Sequence, residues 1–292
     1  MNTTQTSAKK ALLVVSFGTS YSETREKTIG AIEREAAAAF PDRQVRRAFT
    51  SSMILRVLAR RDGLHIDNVT QAMGRLIADG FTDVLVQPTH IINGEEYEKM
   101  KAQIRPFAAC FSSLRIGAPL LSSSEDYTCV VNAIAAEVLR LYPTASLCCL
   151  RGADADAAGD MPALVLMGHG TEHHVDAAYA ALDYRFKDMG YPRAIVGTVE
   201  GYPAFAQVEK QLEALNPAPE TVLLMPFMIV AGDHARNDMA GEEEDSWNTM
   251  LRAKGYRTEC ILKGLGEMES IRAVFLKHMQ QALAEESEPG HE

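Results

Sequence analysis

Three residues carry donor atoms where a chain seldom puts them without use. His169 stands in ALVLMGHGTEHH, clamped between Gly168 and Gly170 at the end of an apolar run of strand length. Glu200, in TVEGYP, follows a second such run, and His234, in AGDHARNDMAGEEEDSW, follows a third. Two imidazoles and a carboxylate form a borderline donor set, suited to Co²⁺, Fe²⁺, Ni²⁺ or Zn²⁺ rather than Ca²⁺ or Mg²⁺. Three protein ligands leave coordination positions open to water or substrate, and an imidazole can also take a proton near neutral pH. The two glycines let the backbone turn sharply and a bulky ligand come close. His169, Glu200 and His234 are therefore the candidate metal ligands and catalytic groups, with Gly168 and Gly170 as candidate ligand contacts.

Other histidines and acids are weighed against these. A histidine after a strand is more often a hydrogen-bonded structural residue, which is how His65, His278 and His291 read. His173 and His174 read as the opening of a helix. His90, in QPTHIINGEEY, also sits at a strand end, where it would contact a large ligand, assist proton transfer or simply pack. Beyond His234, a helix would put Asp238, Glu242 and Asp245 on its face at steps of four, four and three. That face would be either a carboxylate path for a cation or an acidic surface favoured by the helix dipole.

The elements that must hold these residues alternate in type. Short β-branched and Leu-rich runs are predicted as strands over 11–17, 45–49, 84–87, 164–167, 194–198, 222–225 and 258–261, separated by amphipathic stretches predicted as helices, including 22–38, 95–110, 126–141 and 207–214. A closing helix is expected over about 268–285. The second half repeats the first: LLVVSFGTS matches LVLMGHGTE, and VLVQPTHIINGEE matches VLLMPFMIVAGDH. The expected fold is α/β, two similar duplicated domains, each a mostly parallel sheet flanked by helices, with a cleft between them. Residues 1–125 form the first domain, onto which the closing helix could pack back, and 126–292 form the second, with the join over 120–162. In open α/β sheets ligands sit beyond the carboxyl ends of the strands, and all three candidate ligands fall there. Their counterparts in the first half are Phe17, Ser51 and Glu96, so only one half is equipped for metal.

Composition bounds the rest. The chain has 292 residues, 47% hydrophobic and 23% charged, with net charge −10, which argues against nucleic acid as a partner. Five cysteines in no CxxC spacing read as reduced thiols, and neither a signal-peptide core nor a membrane-spanning run is seen, so the cytoplasm is the expected compartment and no membrane partner is expected.

LLVVSFGTSYSETR, QPTHIINGEEY, LMGHGTEHHVDAAY, TVEGYP and AGDHARNDMAGEEEDSW together resemble the anaerobic-pathway sirohydrochlorin cobaltochelatases, of the class II chelatase superfamily that includes ferrochelatase. The resemblance covers nearly the whole chain. It implies insertion of Co²⁺, as metal substrate, into the tetrapyrrole sirohydrochlorin on the route to cobalamin, with Fe²⁺ insertion towards sirohaem left open. It implies a metal site at His169, Glu200 and His234, a class II chelatase-like fold with the macrocycle in the cleft, and no need of an organic cofactor. Some relatives bind haem at an extra histidine, for which no counterpart is assigned here; a homo-oligomer is left open. The carboxylate-rich substrate needs local positive charge, and the stretch from Arg43 to Arg61 has six arginines and no acid. Arg47 or Arg56 is the candidate for its carboxylate arms. The rival readings are a His₂Glu zinc hydrolase, disfavoured by the lack of HExxH, and a cobalt or nickel metallochaperone without enzymatic activity. Nucleotide binding is disfavoured by the lack of GxGxxG and GxxxxGK[ST].

Overall fold

The computed structural model describes residues 8–142 and 161–285. Strands β1 (Lys10–Ser16), β2 (Gln44–Phe49), β3 (Asp83–Pro88) and β4 (Ser113–Ile116) form one sheet in the order β2-β1-β3-β4. Strands β5 (Ala163–Gly168), β6 (Ala194–Thr198), β7 (Thr221–Pro226) and β8 (Arg257–Cys260) form a second in the order β6-β5-β7-β8. Every strand pair is parallel. Central strands such as β5 and β7 are buried along their whole length, as parallel strands covered on both faces must be.

Helices flank both sheets. In the first half they are α1 (Ser22–Lys27), α2 (Ile29–Ala39), α3 (Ser52–Val57), α4 (Val69–Ala78) and α5 (Glu95–Ile104). Then come α6 (Ser124–Leu141), α7 (Ala177–Asp188), α8 (Phe205–Glu213), α9 (Trp247–Ala253) and α10 (Glu269–Ala284). The chain divides into two compact units, Met1–Ser122 with Arg272–Glu292, and Ser123–Ile271. Most of α10 thus belongs to the first unit, where Arg272 Nε lies 2.6 Å from Glu35 Oε1 and His278 Nδ1 donates to the Ala118 carbonyl at 3.2 Å. Among the described residues no helix is long and apolar enough to cross a membrane.

The duplication extends to single hydrogen bonds just past the strands. Thr50 N donates to Ser16 O at 2.9 Å and Ser51 N to Phe17 O at 3.2 Å; in the second unit Val199 N donates to Gly168 O at 3.0 Å and Glu200 N to His169 O at 2.8 Å. Leu120 N to His90 O is likewise matched by Leu265 N to Met228 O. One backbone plan therefore serves both halves while the side chains on it differ.

Several local expectations are corrected. The predicted helix over 22–38 is two helices, because Thr28 breaks it at φ −112° and ψ −84° while its hydroxyl donates to Thr24 O. The stretch over 95–110 stays α-helical only to Ile104; Pro106 then sits in a 3₁₀ turn, Arg105–Cys110. Strand β4 was not read from the sequence: SLRI is four residues long and half-buried throughout, so it lacks the apolar run that marks its neighbours. Residues 143–160, including Cys148, Cys149 and part of the join, lie outside the described residues, as does His291; Cys110, Cys129 and Cys260 are free thiols.

Candidate metal centre

His169 and Glu200 are brought together by backbone before any side chain acts. Strands β5 and β6 are neighbours with Gly168 opposite Thr198, and the ladder runs on through the Val199 and Glu200 amides. Gly170, at φ +84°, then lies so close that a Cβ would stand 2.8 Å from the Glu200 carbonyl carbon. No other residue fits there without moving the loop. Gly168 is as constrained: a Cβ on it would stand 2.4 Å from the ring of Tyr179, whose buried phenol is hydrogen-bonded to the Gly170 backbone. Burial pushes that phenol's pKa well up, so it stays protonated.

Asp176 closes the arrangement. Its Oδ1 accepts from Thr171 N at 3.2 Å and its Oδ2 from Tyr202 N, so one buried carboxylate ties the loop after His169 to the loop after Glu200. Gly201 makes room for it, since a Cβ there would meet Oδ2 at 2.5 Å. Sequence reasoning missed Asp176 and Tyr179. The one available signal was an aspartate inside HHVDAAY, at the start of a helix, where the usual reading is a cap.

The third group arrives on β7. After it, residues 235–239 form a single π-helical turn, a local irregularity frequent at functional sites. The rings of His169 and His234 meet edge-on with centroids 4.7 Å apart, and His169 Nε2 is 3.9 Å from Glu200 Oε2. The turn ends at Met239, so Glu242 and Asp245 lie beyond it and do not continue the face of His234 and Asp238.

Each histidine has a partner that fixes its tautomer. His169 Nδ1 is 2.9 Å from Gly170 O, and a carbonyl only accepts, so Nδ1 carries the hydrogen. His234 Nδ1 is 2.7 Å from Asp238 Oδ2, and a carboxylate likewise accepts. Both Nε2 lone pairs are thereby left for another partner, the arrangement in which metal-binding imidazoles are oriented by a second ring of contacts. Among the described residues no group of three His, Cys, Asp or Glu side chains stands as it would to hold a metal ion, so His169, Glu200 and His234 are near one another without yet converging. All three candidates are open to solvent: their side chains are 44%, 61% and 36% exposed for His169, Glu200 and His234.

The remaining candidates are placed differently. Arg47, on β2, is half-buried and its fork is taken by Glu33, with Nε to Oε1 at 2.7 Å and Nη2 to Oε2 at 2.5 Å. Arg56, on α3, is exposed. His173 and His174 stack at 4.1 Å, apart from the three, and His173 Nδ1 accepts from Val175 N. His90 follows β3 in the first unit, its ring edge-on to Tyr97, with both nitrogens sealed from solvent and neither hydrogen-bonded. Burial pushes its pKa down to about 4, which makes it a weak base at neutral pH.

The family model for cobalt chelatase (CbiK) matches residues 10–284. The sirohydrochlorin cobaltochelatase of Salmonella typhimurium is 46% identical over 276 residues, covering 94% of this chain and 97% of that one. The sirohydrochlorin cobaltochelatase CbiKC of Nitratidesulfovibrio vulgaris is 32% identical over 280 residues, covering 94% and 91%. Among solved structures, SirB from Bacillus subtilis with Fe³⁺ superposes with a TM-score of 0.63 at 14% identity, covering 94% of this chain and 96% of that one, a likeness of fold.

Two expectations follow from the geometry. Asp176→Asn puts an amide NH₂ against a backbone N–H, so it should cost about 1–3 kcal/mol of stability in urea melts and weaken Co²⁺ binding measured by titration. His90 is neutral when folded and protonates when unfolded between about pH 4 and its ordinary value of 6.5. Its contribution is whole above pH 6.5 and fades as pH falls toward 4, by up to about 3 kcal/mol. In urea melts from pH 7 to 4.5 the wild type should lose up to about 3 kcal/mol more than His90→Phe does; parallel curves would contradict the assignment.

Proposed function

The chain belongs to the cobalt chelatase (CbiK) family, and from that premise we propose how a sirohydrochlorin cobaltochelatase of this sequence works: His169, Glu200 and His234 hold the incoming Co²⁺ and hand it to the macrocycle. The observation that carries this reading is the meeting of the His169 and His234 rings at 4.7 Å, with Glu200 3.9 Å from His169 Nε2. Open, solvent-reaching ligands suit a cation that is cargo. Two neutral imidazoles and one carboxylate bind a divalent ion and can surrender it, which a closed Cys₄ cage would resist.

Metal insertion also requires that two pyrrole N–H protons leave. A histidine that releases the metal has an Nε2 lone pair with which to take such a proton. Either ring has a carboxylate beside it in that step, Asp238 at 2.7 Å from His234 Nδ1 and Glu200 at 3.9 Å from His169 Nε2. Selectivity for cobalt cannot come from affinity, since Ni²⁺ and Cu²⁺ bind such donors more tightly; supply and geometry decide. Fe²⁺ fits the same donors, so we extend the proposal to iron insertion. Of the two arginines on the first unit, Arg56 keeps its guanidinium in solvent and is the one placed to meet a carboxylate arm.

The test mixes purified protein, sirohydrochlorin and Co²⁺ or Fe²⁺ and follows the visible spectrum. His169→Ala and His234→Ala should each lower the rate by roughly a hundredfold or more with the fold retained, and Asp238→Ala should weaken Co²⁺ binding by about 10–100-fold. Asp238→Asn, which still offers an oxygen to Nδ1–H, should lose less. Full rates in both histidine variants would place the metal elsewhere.

A further inference from the structure

The loop after β1 is the first-unit counterpart of the loop that carries His169, matched residue for residue from Phe17 to Thr19 and by the same backbone bonds. It lies beyond the carboxyl end of a central parallel strand, where ligands of open α/β sheets bind. In place of metal donors it has an exposed aromatic, Phe17 at 46%, and two arginines that hold its backbone: Arg25 Nη1 donates to Thr19 O at 3.4 Å and Arg61 Nη2 donates to Ser20 O.

Several of the charges around this loop are paired. Arg34 is joined to Glu26 at 3.6 Å, Arg47 to Glu33 at 2.5 Å and Arg61 to Asp62 at 2.7 Å. Among the described residues Arg25 makes no ion pair, and the side-chain hydrogen bond it does make is the long one to Thr19. Its side chain is only 7% exposed, and Nε is sealed without a partner. Burial first, and the Arg47 charge second, hold its pKa below the ordinary value, outweighing the Glu26 and Asp62 charges that act the other way. A buried charge is costly unless something pairs with it, and the planar fork of arginine is matched by a carboxylate.

We propose that Arg25 is a carboxylate-binding site and takes one carboxylate arm of the tetrapyrrole, with Phe17 offering the adjoining apolar face. The proposal rests on the chelatase reading and adds a recognition residue to it. It also answers a difficulty of charge: a protein of net charge −10 has to bind a carboxylate-rich substrate. A buried arginine without an ion pair, bonded to the loop after β1, meets that need, where the ion-paired Arg47 does not.

The experiment measures metal-free sirohydrochlorin binding by absorbance, and Co²⁺ insertion kinetics, for the wild type, Arg25→Gln and Arg25→Lys with matched melting temperatures. Arg25→Gln should raise the Kd and KM for the tetrapyrrole about 10- to 100-fold while KM for Co²⁺ stays unchanged. Arg25→Lys, which keeps the charge and loses the fork, should fall between; it carries the test alone if the glutamine variant does not fold. A tetrapyrrole Kd equal to that of the wild type in a folded variant overturns the proposal, as does an equal rise in KM for both substrates, the sign of a merely structural residue. If the wild type binds sirohydrochlorin but inserts no metal, the chelatase reading fails, and the Kd comparison still decides the role of Arg25.

Discussion

The donation of the Glu200 amide to the His169 carbonyl is the constraint from which the rest of the site follows. It extends a parallel ladder past the formal ends of β5 and β6, so two side chains 31 positions apart in the sequence start from backbone already in register. The close approach demands glycine at 170, and the packing beneath it demands glycine at 168, against Tyr179. Asp176 then holds the far ends of both loops. His234 is positioned differently: its partner, Asp238, comes from the same short turn four residues on, so the ring and the group that orients it are a single local piece.

What could be read from the sequence divides along the same line. Central parallel strands are buried on both faces, so 11–17, 164–167 and 222–225 announce themselves as apolar runs, and the repeat places their carboxyl ends. Strand ends followed by His, Glu and His could be picked out for the same reason. An edge strand such as SLRI has no such run, and the break at Thr28 depends on a hydroxyl bond that helical periodicity does not encode. Asp176 could not be seen because its partner, Tyr202, is 26 residues distant and only the fold brings them together. The arginines show the limit most plainly: composition marks the cluster from 43 to 61 as basic, but which guanidinium is already occupied depends on Glu33 in α2.

Electrostatics across the chain is a matter of local pairing more than of total charge. Most first-unit arginines near the strand ends are neutralised one by one, by Glu26, Glu33, Asp62 or Asp79. Long-range attraction of an anionic substrate by a chain of net charge −10 is unfavourable, so recognition has to be carried by contacts at short range, where salt screens least.

The matching amide-to-carbonyl bonds at Ser51 and Glu200 have a further consequence. Both halves keep identical sockets at the strand ends, one filled with phenylalanine and serine, the other with histidine and glutamate. Side chains in such sockets can be exchanged without disturbing the ladder that positions them, so after a duplication either copy was free to drift while its twin preserved the chemistry. Division of labour between the halves needed no new architecture, only different occupants of seats the backbone had already built.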